Sequence, residues 1–150
     1  MTVTTADLTI QQLARRTGLA ESALRYYERI GLIDPVPRDD SSGHRRYPPE
    51  LVSTVENLAC LRDTGMSVAD MRRYVHNSRS GPAATAEQHR LFAEHAERLD
   101  GQIARLQLRR QYVVAKARLF AARERGDSAA EAAVVPQIID IAERLLGHHD

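Results

Sequence analysis

From Phe92 to Phe120 the chain repeats in steps of four and three: Phe92, Ala96, Leu99, Ile103, Leu106, Arg110, Val113, Ala117 and Phe120, apolar throughout except at Arg110. Only an α-helix brings such positions into one line, and a line kept at three and a half residues per turn is the seam of a coiled coil. At about 1.5 Å per residue this stretch makes a helix of roughly 43 Å, too long to bury its stripe against a small head. The expected cover is the same helix of a second copy, with Phe92, Leu99, Ile103, Leu106, Val113 and Phe120 forming the dimer contact. The alternative is a monomeric hairpin in which the chain folds back through Gly126-Asp127.

The 150 residues suffice for one modest core plus such an appendage. Basic and acidic residues number 21 and 20, so bulk charge gives no reason to expect nucleic acid, and any such case rests on local clustering. All the basic residues except Lys116 are Arg, which suits bidentate phosphate contact and is equally the mark of a GC-rich genome. Cys60 is the single cysteine, which excludes an intrachain disulfide and a multi-cysteine metal site. No basic segment followed by an apolar run opens the chain, and no stretch approaches the roughly 20 apolar residues that span a bilayer. A cytoplasmic location without membrane contact is expected, and no cofactor is implied.

Residues 1–8 read as a flexible lead-in and 9–76 as the head. Thr9 can cap a short helix carrying Ile10, Leu13 and Ala14, which Gly18 stops; a second runs from about Ala20 to Ile30, closed by Gly31. Two short helices joined by a tight Gly-containing turn form a helix-turn-helix. Residues 33–49 hold four of the six prolines and the run Asp39-Asp40-Ser41-Ser42-Gly43, the pattern of a hairpin wing. Pro49 opens a third helix to about Thr64, and Ser67 caps a fourth to about His76. Residues 77–85, with Gly81-Pro82, read as a linker, 86–125 as the coiled-coil helix, and 126–150 as a C-terminal helix and tail that Pro136 interrupts or begins.

In the second helix Ala23, Leu24, Tyr27 and Ile30 share one side, and Ser22, Arg25, Tyr26 and Arg29 share the other. The second set offers two guanidinium groups, a hydroxyl and a phenol, which bond phosphate oxygens and the acceptor edges of bases. A solvated amphipathic face is the plain alternative. The cluster Arg38, His44, Arg45 and Arg46 in the neighbouring wing favours phosphate contact.

The runs Thr9-Ile10-Gln11-Gln12-Leu13-Ala14, Leu24-Arg25-Tyr26-Tyr27-Glu28-Arg29-Ile30-Gly31-Leu32, Gly43-His44-Arg45-Arg46-Tyr47 and Leu61-Arg62-Asp63-Thr64-Gly65-Met66-Ser67 resemble the MerR family of bacterial transcription regulators, in its order and spacing. The resemblance covers about half the chain, residues 9–75. It implies a mainly α fold: an N-terminal winged helix-turn-helix head, a long antiparallel coiled-coil dimerisation helix and a short C-terminal helix. It also implies a homodimer on an inverted repeat of double-stranded DNA within a promoter spacer, distorting that spacer to realign the elements read by RNA polymerase. Carried onto matching positions, Arg25 and Tyr26 contact bases or phosphate, Arg45 and Tyr47 brace the wing on the backbone, and Arg16 joins them from the end of the first helix. Such a protein is bacterial and nucleoid-associated when bound.

Helical spacing puts Cys60 on a polar face with Ser53, Glu56, Asn57 and Thr64, at a position resembling the lone cysteine of the AdhR/NmlR-like branch. That branch implies sensing of a small reactive electrophile, an aldehyde or a thiol oxidant. Against it, no cation lies at helical contact spacing and Glu56 opposes a thiolate; a structural cysteine is the alternative. The cysteine sets of the metal and iron-sulfur sensors have no counterpart here, nor has the drug-binding domain of the multidrug branch. His148 and His149 read as solvated tail rather than metal ligands. No catalytic spacing, Gly-rich phosphate loop or metal motif points to an enzyme. Two rival binding readings are an architectural or recombination-directionality protein that bends DNA, and a coiled-coil adaptor whose head binds protein.

Overall fold

The computed structural model describes residues 6–147, so His148, His149 and the start of the expected lead-in lie outside the described residues. The fold is mainly α, and the chain divides into two compact units, Met1–Phe92 and Ala93–Asp150.

In the first unit, α1 (Ile10–Thr17) begins in a capping box. Thr9 Oγ1 accepts from the Gln12 amide at 3.2 Å, and Gln12 Oε1 accepts from the Thr9 amide at 2.8 Å. Gly18 ends the helix at φ 73°, a left-handed conformation that favours glycine, with its amide bonded to the Ala14 carbonyl. The chain then turns directly into α2 (Glu21–Arg29). α3 (Pro49–Asp63) opens on Pro49 in its first turn, where the missing amide proton costs nothing, and α4 (Val68–Arg79) is capped by Ser67 Oγ accepting from the Asp70 amide at 3.1 Å. Leu13, Leu24, Tyr27, Leu32, Ile33, Val55, Leu58 and Met71 form the core, each aliphatic side chain contributing roughly 1.5–3 kcal/mol by leaving water.

The wing is a short antiparallel excursion. Arg38 bridges to Arg45, the Asp39 amide donates to His44 O and the Arg46 amide to Pro37 O, both at 2.8 Å. At its root Tyr47 and Leu8 exchange backbone hydrogen bonds of 2.8 and 2.9 Å. Leu8 is therefore paired to the wing rather than part of a loose lead-in.

Residues 77–85, read from sequence as a linker, hold the end of α4, a 3-10 turn (Gly81–Ala84) and the first residue of α5 (Thr85–Glu124). They are tied down by side chains: buried Asn77 donates to Gln88 Oε1 at 3.1 Å, and Arg73 bonds Glu87 at 2.6 Å. Phe92 stands edge-on to Tyr74, ring centroids 5.9 Å apart.

In the second unit α5 continues and the chain turns at Gly126 into α6 (Ser128–Leu146), which Asp127 caps by accepting from the Ala130 amide at 3.0 Å. Val134, Ile138 and Ile141 of α6, flanked by Leu145, pack on Leu108, Ala115 and Leu119 of α5, flanked by Tyr112. Arg123 donates to Glu131 at 2.7 Å across the hairpin. The fold-back through Gly126-Asp127 therefore exists, yet it does not cover the seam. Residues 108, 112, 115, 119 and 122 make a second four-three stripe displaced by two residues, about 200° around the helix, from 106, 110, 113, 117 and 120. Leu106, Val113 and Phe120 stay 64, 65 and 59% exposed. α6 is also continuous through Pro136, which neither starts nor breaks it; the residue sits on the exposed side, where a carbonyl left without its amide partner is open to solvent.

Candidate nucleic-acid interface

The turn after α1 and the burial of Leu24 and Tyr27 fix which side of α2 meets solvent. Ser22, Arg25, Tyr26 and Arg29 are all exposed on it. The Arg29 guanidinium lies over the Tyr26 ring, 5.3 Å from its centroid, and Arg25 reaches back one turn to Glu21 at 3.3 Å. These contacts order the side chains without enclosing them.

The wing brings its cations beside this helix. Arg38 Nη1 donates to Gly43 O at 3.0 Å and so stays folded over the turn, and Arg46 lies 3.9 Å from Asp39 Oδ2. The Asp39 carboxylate also accepts from the Ser41 hydroxyl and the Ser41 and Ser42 amides, at 2.6, 2.9 and 2.9 Å. These bonds, the Ser41 hydroxyl foremost, hold the Asp39 carboxyl below the ordinary range and keep the wing tip closed. Arg45 Nε lies 3.3 Å from both carboxylate oxygens of Glu28 on α2.

Together these residues enclose an open cleft of about 230 Å³ lined by Thr9, Ile10, Gln11, Arg25, Arg38, His44, Arg45 and Arg46. Five of the residues expected to contact DNA thus converge on one concavity rich in donors, which suits a phosphate backbone. Ser22, Tyr26 and Arg29 occupy the adjoining α2 face. Thr9 and Gln11 were missed by the sequence reading. The capping box marks them as the start of α1, whose amides carry the positive end of the helix dipole.

Two expected residues lie elsewhere. Tyr47 is fully buried in the core of the head, so it cannot brace the wing on DNA; burial also raises its phenol pKa. Arg16 is ion-paired with Glu56 of α3 and lines a different groove, of about 960 Å³, with Thr17, Gly18, Leu19, Cys60 and Arg62. Cys60 is exposed there, as its polar-face spacing predicts. Glu56, one turn before Cys60, is neutralised by a cation from α1 that spacing within α3 alone does not reveal. Among the described residues no group of three or more His, Cys, Asp or Glu is placed to hold a metal, and no helix is long and apolar enough to cross a membrane.

A family model described as "MerR HTH family regulatory protein" matches residues 8–78, and one described as "MerR, DNA binding" matches residues 52–115. An HTH-type transcriptional regulator of Haemophilus influenzae is 33% identical over 106 residues, 71% of this chain and 74% of its own length. The chain belongs to the MerR family. Another MerR-like relative, the transcriptional regulator AdhR of Bacillus subtilis, is 36% identical over 92 residues, 61% of this chain, and the match spans 65% of AdhR. Among solved structures, HiNmlR, a MerR family regulator lacking the sensor domain and bound to promoter DNA, superposes with a TM-score of 0.67 at 28% identity, covering 86% of this chain and 96% of that one. MerR members are transcription regulators, so this chain is a DNA-binding regulator and not an enzyme.

Proposed function

We propose that this MerR regulator works as an antiparallel homodimer on an inverted repeat in a promoter spacer and switches transcription by RNA polymerase through distortion of that DNA. One observation carries the reading: α5 bears two apolar stripes, α6 covers one, and the other is exposed from Ile103 to Phe120. A second α5 is the matching cover. Arg110 favours the antiparallel sense, because parallel helices would set two Arg110 side chains in one layer of the seam, whereas antiparallel helices separate them. The long helix then acts as a spacer between two basic clefts. Ser22, Arg25, Tyr26 and Arg29 read bases and backbone in the major groove, while Arg38, His44 and Arg46 hold flanking phosphates. AdhR and the promoter-bound HiNmlR support this assignment by similarity.

The signal is a small electrophile at Cys60. An adduct there would occupy the groove between α3 and the Thr17–Leu19 turn of the helix-turn-helix, beside the Arg16–Glu56 pair, where it bears on the angle between α1 and α3. Genome-wide footprinting with the purified full chain, with and without methylglyoxal, tests both parts. Protected inverted repeats inside promoter spacers, altered by the aldehyde in wild type and unaltered in Cys60→Ser, are the expected result. Protection at recombination junctions would point instead to an architectural protein, and an undiminished aldehyde response in Cys60→Ser would remove the sensor.

A further inference from the structure

Glu28 stands out among the carboxylates of this surface, because Glu21 and Asp39, paired with Arg25 and Arg46, are more open to solvent. It projects from the recognition helix between Arg25 and Arg29, where a bare carboxylate would repel the DNA backbone. It is not bare: Arg45 Nε lies 3.3 Å from each of its oxygens, and the two side chains are only 22% and 17% exposed. The other charged groups of this surface are more open, Arg25 at 48% and Arg46 at 40%. Two residues beyond Arg45, fully buried Tyr47 is held to Leu8 by the backbone bonds at the wing's root. The wing itself has few cross-strand bonds and no strand pairing of its own beyond the Arg38–Arg45 bridge among the described residues.

We infer that Glu28 and Arg45 form a clasp that fixes the wing against the recognition helix, and that Arg45 is a positioning residue rather than a phosphate contact. A half-buried pair at this spacing is screened less than a surface pair and holds one wing position. The phosphate contacts of the wing then belong to Arg38, His44 and Arg46, and depend on the clasp for their placement. The inference rests on the DNA-binding reading for its consequence, while the clasp itself can be measured without DNA.

The two accounts of Glu28 predict opposite signs. If Arg45 contacts phosphate and Glu28 only opposes it, Glu28→Gln tightens binding, Arg45→Gln weakens it, and the two effects add. With a clasp, Glu28→Gln, Arg45→Gln and the double variant each weaken binding to a footprinted duplex by about tenfold, the double no further than the singles. All three also show the same flattening of log Kd against log salt, because the wing phosphates are lost together. Hydrogen exchange on the free protein supplies the independent readout. The wing amides of Asp39 and Arg46 should exchange faster in each variant, while those of Leu13 and Leu58 in the core keep their protection. Unchanged wing exchange, or a Glu28→Gln protein that binds as tightly as wild type, overturns the clasp. Faster wing exchange in a protein that ignores duplex DNA would leave the clasp standing and remove the DNA-binding reading instead.

Discussion

The Tyr47 phenol is enclosed in the head, and among the described residues its hydroxyl has no hydrogen-bond partner. An unsatisfied buried hydroxyl costs about 1–3 kcal/mol, so Tyr47→Phe, which keeps the ring and removes the oxygen, should raise the melting temperature by a few degrees. DNA affinity should not change, since the ring never reaches the surface. A drop in affinity would return Tyr47 to the interface. Burial also raises the phenol pKa of Tyr47, and of Tyr27, above the ordinary tyrosine value. The unfolded chain therefore gives up these protons first: the contribution to stability is complete below about pH 10 and is lost as pH rises beyond it. Denaturant melts at rising pH should show that loss, and Tyr47→Phe should show less of it. In the sequence Tyr47 ends the run His44-Arg45-Arg46-Tyr47, which places it among basic neighbours. The backbone exchange with Leu8, which makes it a core residue, joins positions too far apart for any local pattern to reveal.

Element by element, the helices of the head were legible because their boundaries are spelled in the sequence: Thr9 and Gly18 for α1, Gly31 for α2, Pro49 for α3 and Ser67 for α4. The cationic cleft was legible in part, since clustering named Arg25, Arg38, His44, Arg45 and Arg46 but could not show that Glu28 takes Arg45. The sequence of α5 announces only its stronger stripe. The weaker one, with Tyr112, Ala115 and Ala122 among its members, has no large aliphatic run to announce it and becomes visible only once α6 lies on it. The two stripes separate two kinds of damage. Leu119→Ala opens a cavity in the hairpin and should cost about 2–5 kcal/mol in denaturant melts. Leu106→Glu alters a side chain that is already mostly exposed, so far-UV circular dichroism at low concentration should match wild type while sedimentation shows single chains. A Leu106→Glu protein that still sediments as a dimer would place the contact elsewhere.

At the scale of the whole molecule, the sense of pairing can be read with cysteines placed on the seam of the Cys60→Ser protein. In an antiparallel pair that matches the Phe92–Phe120 seam end to end, the midpoint at position 106 lies near its own copy and the two copies of position 120 lie tens of Å apart, about 1.5 Å for each intervening residue. Leu106→Cys should therefore form disulfide-linked dimers under mild oxidation and Phe120→Cys should not. Efficient linking at both positions would indicate parallel helices.

In the proposed dimer, the exposed stripe of α5 would also set how the regulator answers to its own abundance. Where single chains outnumber pairs, mass action makes the amount of paired species rise with the square of chain concentration. A cell that halves its supply of this polypeptide would then keep only about a quarter of its operator-competent molecules, so in that dimer Leu106 and its neighbours would turn modest changes in synthesis or proteolysis into a steep change in promoter occupancy.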